Sequence, residues 1–165
     1  MSLNSLINNI SNSQITSELV NRIHKNNELN IIGSSRYAKA IIIDSIAKKD
    51  KKNILLIAPN IEIGYKWYGY FASINEKNII YYPPTENLPY SSNNKSKEIE
   101  YLQLTALTKL LNQDINNHNI IITTERSLQP HLLNKNIVRD SIINLELNLE
   151  IEINDITNRL VKLGY

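Results

Sequence analysis

Apolar residues recur along this chain in two rhythms, and the rhythms predict its elements. Ile15, Leu19, Val20 and Ile23 fall at helical spacing, so residues 14–24 read as a helix with Thr16 or Ser17 as its cap. Residues 29–32 form a short apolar run that ends at Gly33, the signature of a buried strand. Residues 38–49 read as a helix with Ala40, Ile43 and Ala47 on its inner side. The run Asn-Ile-Leu-Leu-Ile-Ala at residues 53–58, closed by Pro59, is the clearest buried strand. A helix over 61–74, a strand over 78–82 and an irregular stretch from Pro83-Pro84 through Pro89 follow. Residues 97–111 form an amphipathic helix with Leu104, Leu107, Leu110 and Leu111 on one side, and residues 119–124 a further apolar strand.

Short, continuously apolar strands that alternate with helices predict an α/β fold, a parallel sheet with helices on both faces. The rhythm changes after Pro130. Leu145, Leu147, Leu149, Ile151 and Ile153 alternate with polar residues, which predicts a half-exposed strand over 144–153, then a helix over 155–163. The expected organisation is therefore a loose polar leader over 1–13, an α/β domain over 14–131, and an unfinished second unit over 132–165, too short to be a domain of its own.

At 165 residues the chain is long enough for one domain with a real core. Its net charge of +2 implies no strong pull toward nucleic acid. The densest basic run, Lys48, Lys49, Lys51 and Lys52, ends a predicted helix, where it complements the helix dipole. The chain has no cysteine, which excludes a disulfide framework and a cysteine-ligated metal. The polar, Asn-rich start has no basic n-region and no long apolar core, so neither a secretory signal nor a membrane span is predicted, and the cytoplasm is the expected location.

Candidate chemistry concentrates at residues 33–40, which read Gly33-Ser34-Ser35-Arg36-Tyr37-Ala38-Lys39-Ala40. They stand between a predicted strand and a helix, where a phosphate-binding loop of pattern G-x-x-x-x-G-K-[ST] belongs. Gly33 and Lys39 keep their spacing, and two matching positions alone make a weak motif. The second glycine has become Ala38, whose methyl group crowds the backbone wrap around phosphate. The magnesium-ligating hydroxyl has become Ala40, which offers no oxygen. Tyr37 adds bulk within the loop. Neither apolar strand supplies a second acid, since one ends in Ala58-Pro59 and the other leads to Glu125, which reads as a helix N-terminal residue. His24, His118 and His131 lack metal-ligand spacing and read as surface or loop residues. Asp44 and Glu62 read as exposed helix residues. The aromatic residues around Trp67 have few cations beside them, so helix packing on a sheet explains them better than base stacking.

The segment over 81–90, Tyr-Tyr-Pro-Pro-Thr-Glu-Asn-Leu-Pro-Tyr, is the most distinctive. With Glu86, Leu88, Pro89 and Tyr90 ahead of a Leu-rich helix, it resembles the transcription-repair coupling factors (Mfd). Their N-terminal region carries a hydrophobic-Pro-x-x-Glu-x-Leu-Pro-Tyr segment in that place. The decayed loop at 33–40 and the Leu-Ile-Ala-Pro strand at 55–59 fit the same order. Residues 145–165 resemble the start of the partner-interaction domain that this family shares with the damage-recognition subunit (UvrB) of the excision nuclease. The likeness covers about residues 14–165.

The resemblance implies a degenerate P-loop-like, RecA/helicase-type fold that hydrolyses no ATP, followed by the start of an α+β UvrB-interaction-type domain. It implies no cofactor for this chain, ATP and magnesium serving only the downstream motor. It names UvrA of the excision nuclease, RNA polymerase and DNA as partners of the whole family, with no strong partner for this chain alone and no membrane. Gln103 stands where the family has an Arg. The Gly-Glu-Phe/Tyr-x-x-Arg-Gly run expected after Gly164-Tyr165 is absent, so a fragment or a truncated product is expected. Two alternatives stand beside this reading. One is an active P-loop NTPase binding ATP and DNA. The other is a stand-alone truncated adaptor that docks through the polar face of residues 144–152.

Overall fold

The computed structural model describes residues 3–26, 28–74, 78–85, 97–112, 118–129, 134–145, 147, 150 and 152–163. The chain divides into two compact units, Met1–His131 and Leu132–Tyr165.

The first unit opens with helix α1, Leu3–Ser11, where a loose leader was expected. The reason is a buried anchor. Ile7 is buried, the helix packs on α3 (Arg36–Asp50), and the Ser11 and Ser45 hydroxyls share a hydrogen bond of 2.7 Å. Helix α2, Gln14–Asn26, is capped by Ser13 rather than by Thr16 or Ser17: the Thr16 N–H donates to Ser13 Oγ at 3.2 Å. Thr16 is buried instead, and its own hydroxyl donates to the Ile10 carbonyl at 2.7 Å.

Three parallel strands form one sheet in the order β1-β3-β2: β1 Ile54–Ala58, β2 Ile79–Tyr82 and β3 Ile120–Thr124. Ile120 of β3 stands opposite both Ile54 and Ile79, which fixes the register. Helix α4, Ile61–Ile74, lies against all of these strands and against α3, while α5, Lys97–Leu111, packs on β2. Helix α6, Glu125–Leu128, follows β3 directly and begins with the acid expected to favour a helix N-terminus. The chain is thus an α/β protein with a small parallel sheet and a majority of helices.

Side chains alternate across a strand, so each residue has one of two faces to serve. Ile79, Tyr81, Ile120 and Ile122 are buried with Ala40 and Ala47 of α3 and Phe71 of α4; Ile54 and Leu56 pack against this cluster. Burying a side chain the size of Phe71 contributes roughly 1.5–3 kcal/mol. The other face is uneven. Ile80 and Thr123 are buried there, but Leu55 and Ile57 of β1 stand 52% and 53% exposed. Helices on both faces were expected; among the described residues the cover stops short of β1.

The strand expected over 29–32 does not form. Leu29 and Ile31 are half-buried, while Asn30 and Ile32 face outward, Ile32 at 81% exposure. The backbone of residues 29–32 joins no ladder of the sheet, whose strand order is β1-β3-β2.

In the second unit, α7 (Lys135–Ser141) and α8 (Ile153–Lys162) are helices with no buried residue. Arg159 Nη2 donates to the carbonyls of Asp140 and Ile142, both at 3.3 Å. The alternating strand expected over 144–153 is not found among the described residues there, and α8 starts at Ile153 rather than Asp155. Leu145 and Leu147 are 66% and 98% exposed. A period-two pattern makes a strand only where a neighbour supplies the ladder and a face to bury.

Candidate functional site

The loop expected to hold phosphate is built as a capped helical turn. Gly33 takes φ 82, a left-handed conformation that only glycine adopts readily, and a Cβ there would meet nothing within 4 Å. Ser35 is the N-cap of α3, so the helix begins at Arg36, two residues earlier than the sequence pattern predicts. The Ser35 hydroxyl accepts the Ala38 N–H at 3.2 Å, and the Ser35 carbonyl accepts the Lys39 N–H at 3.0 Å. A phosphate-binding loop would turn backbone amides of this kind toward its ligand. Here those two are already satisfied by the helix and its cap.

The rest of the segment serves packing. Ala40 is fully buried in the core cluster. The Tyr37 ring meets Tyr70 edge-on, with centroids 5.9 Å apart, and its hydroxyl accepts from Ser73 Oγ at 3.5 Å. Arg36 is exposed and Lys39 half-buried. Ser34 is half-buried, and its hydroxyl is enclosed without a hydrogen-bond partner among the described residues. Arg36 adds positive charge near Glu62 at the start of α4. The carboxyl of Glu62 is held below its ordinary range by its hydrogen bond with Lys66 at 2.6 Å, then by the Lys66 charge and, more weakly, by Arg36.

Glu86, Leu88, Pro89 and Tyr90, which carry the family resemblance, lie outside the described residues, as does His131. Gln103, in the family's arginine position, donates from Nε2 to the Pro83 carbonyl at 2.8 Å, so it ties α5 to the end of β2. His24 is exposed and pairs with Asp50 at 2.7 Å. That pair stands at a cavity of about 710 Å³ lined by Ile23, Leu29, Ile31, Ile43 and Ile54. Among the described residues, no group of three or more His, Cys, Asp or Glu could hold a metal ion. No helix among them is long and apolar enough to cross a membrane.

Two features differ from the sequence reading or escaped it. Asp44 is not an exposed helix residue: it is 1% exposed, with Lys48 Nζ 2.6 Å from its Oδ2 as compensating charge. Its position one helical turn after Ala40 and Ile41 was the available signal, since a helix buries residues that far apart on one side. The second is a tyrosine cluster. Tyr81 of β2 lies under Tyr65 and Tyr68 of α4, with ring centroids at 4.8 and 5.8 Å. Among the described residues its buried hydroxyl has no hydrogen-bond partner, and burial, reinforced by Tyr65, pushes its pKa up to about 12. The alternation of Ile79 and Tyr81 placed that ring on the core side, but nothing in the sequence showed its hydroxyl to be unpartnered.

No protein-family model matches this chain, and no curated protein matches it.

Proposed function

We propose that this chain is a non-catalytic N-terminal segment of a transcription-repair coupling factor, carrying a degenerate P-loop-like domain. In such a protein it serves to link stalled RNA polymerase to nucleotide excision repair by helping to recruit the excision nuclease, in the cytoplasm. The motif at Glu86, Leu88, Pro89 and Tyr90 suggests the family. The parallel sheet and the position of Gly33 ahead of α3 are compatible with it.

The observation that carries the non-catalytic part is the capped turn. Ser35 occupies the Ala38 and Lys39 amides, and Ala40 is buried where a magnesium-binding hydroxyl would be needed. Lys39 alone is a point charge and makes no nucleotide site.

Two measurements test this reading separately. Equilibrium binding with labelled ATP and magnesium is expected to show no saturation at micromolar concentration. Saturable binding that disappears in Lys39→Ala would favour an active NTPase. The family assignment is tested in the source cell. Disrupting the gene is expected to abolish the faster repair of transcribed over non-transcribed strands after ultraviolet damage. An unchanged strand bias would refute it.

A further inference from the structure

We propose that the outer edge of β1 takes up an extended segment of a partner protein as a further strand of the sheet. The site goes beyond the coupling-factor reading and stands independently of it.

The backbone of β1 presents the template. In the order β1-β3-β2 both outer strands have one side without a strand neighbour. The residues of β2 are buried or half-buried throughout, so that edge is covered. β1 is different. The Ile54 N–H donates to the Asn119 carbonyl at 2.9 Å, so Ile54 and, two residues on, Leu56 turn their backbone groups toward β3. Leu55 and Ile57 turn theirs to the open side, and these are the residues of β1 that stand 52% and 53% exposed. Natural sheets block such an edge with charge, proline or a bulge. The strand reads Ile-Leu-Leu-Ile-Ala and has no such block before Pro59, just past its end.

The space beside it selects side chains. A strand laid along β1 sends alternate side chains to the same face as Ile54. On that face Ile54 lines a cavity of about 710 Å³ together with Ile43 and Ile46 of α3 and with Leu29 and Ile31. Leu29 and Ile31 belong to the stretch that joins no ladder, so chain without a strand partner walls the cavity as well. Aliphatic side chains buried there supply the driving force, and the ladder supplies the direction.

Charge selects one end of the segment. Lys51 and Lys52 are exposed just before β1, and Lys52 stands at the cavity. The acid beside them, Asp50, is already paired with His24. Every strand pair in this sheet is parallel, and in a parallel addition the N-terminal end of the new strand lies beside Lys52. The partner segment is therefore extended, aliphatic at alternate positions, and acidic at its N-terminal end.

The probe is an N-acetylated, C-amidated peptide of about six residues, an ordinary strand length, alternating valine with threonine behind a glutamate. It is added at millimolar concentration to the ¹⁵N-labelled full chain, and amide exchange is followed by NMR. Exchange at Leu55 and Ile57 is expected to slow about tenfold or more, with a smaller change at Ile54 and Leu56, which already face β3. A peptide of the same composition without the alternation, and one N-methylated on the residues that face β1, are expected to give no protection. Lys52→Glu is expected to weaken the glutamate-headed peptide several-fold and to favour a lysine-headed one. Unchanged exchange at Leu55 and Ile57, or equal protection by the N-methylated peptide, would overturn the proposal. Protection that rises with the concentration of the chain itself, and that the peptide does not compete away, would place a second copy on this edge and overturn the partner strand too.

Discussion

The two units of this chain use similar patterns and obtain different structures from them. In the first, apolar residues at helical or period-two spacing find one another. Ala40, Ala47, Phe71, Ile79, Tyr81, Ile120 and Ile122 come from four separate elements and close a single cluster. In the second, the apolar residues of α8 are just as regularly placed, yet none is buried, and Ile153 and Val161 are 80% and 63% exposed. Periodicity specifies which side of an element is apolar. It supplies stability only when another apolar side is within reach, because helices of this length are marginal without tertiary packing.

The strongest way to break that contrast is to remove a side chain at the centre of the first cluster. Phe71 is 1% exposed, with Trp67 stacked on it at 5.9 Å. Phe71→Ala removes that contact and leaves a cavity beneath α4. It is expected to lower stability by about 3–5 kcal/mol, read as a fall in the urea midpoint. A loss below about 1 kcal/mol would mean that the sheet and α4 do not depend on this cluster.

Polar contacts sharpen the same contrast at a smaller scale. Lys48 stands 2.6 Å from a carboxylate that is 1% exposed, whereas Arg159 in the second unit reaches carbonyls at 3.3 Å from an exposed helix. Lys48→Ala leaves the buried Asp44 charge uncompensated. Because the Lys48 side chain is 42% exposed, its removal is expected to lower stability by about 2 kcal/mol, less than for a fully buried pair. Asp44→Leu in the Lys48→Ala background should restore most of that. Arg159→Ala is expected to change stability by less than about 0.5 kcal/mol. Equal effects at Lys48 and Arg159 would erase the distinction between the units.

Much of the first unit was legible because its elements are defined by local pattern. The helices over 61–74 and 97–111 have the bounds that apolar spacing predicts, and the strands over 54–58, 79–82 and 120–124 follow their apolar runs. The misreadings depend on partners that local sequence does not name. Residues 29–32 look like a strand, but they join no ladder of the sheet. Residues 3–11 look like a polar leader, but Ile7 finds α3. The candidate loop was legible in its substitutions and not in its geometry. Ala38 and Ala40 could be read directly, whereas the early start of α3 depends on the Ser35 cap.

Tyr81 provides a test by pH. Its folded pKa is about 12 against an ordinary value of 10.0. Below pH 10 the folded and unfolded chains both keep the proton, so the group adds no pH dependence. Between 10 and 12 the unfolded chain releases the proton while the folded chain holds it, so stability falls as pH rises. The effect is expected to be about 1–2 kcal/mol by pH 12, at about 1.4 kcal/mol per pKa unit before discounting for water near the ring. Tyr82, also raised by burial, acts in the same direction. Tyr81→Phe should flatten this alkaline limb, as measured by urea unfolding at a series of pH values. A limb of unchanged steepness would assign it to other groups.

The smallest expected effect is the most direct check on the second unit. Leu147 is 98% exposed, in a segment whose alternating pattern promises a strand. An exposed leucine has already left its apolar surface in water, so Leu147→Asn removes no buried area and leaves no cavity. Stability should remain within about 0.5 kcal/mol of the parent chain. Solubility should improve, because exposed apolar residues in a period-two segment favour pairing between chains. A loss of more than about 1 kcal/mol would show that Leu147 has a packing partner. The period-two pattern would then have found its second face after all, and the two units would differ in degree rather than in kind.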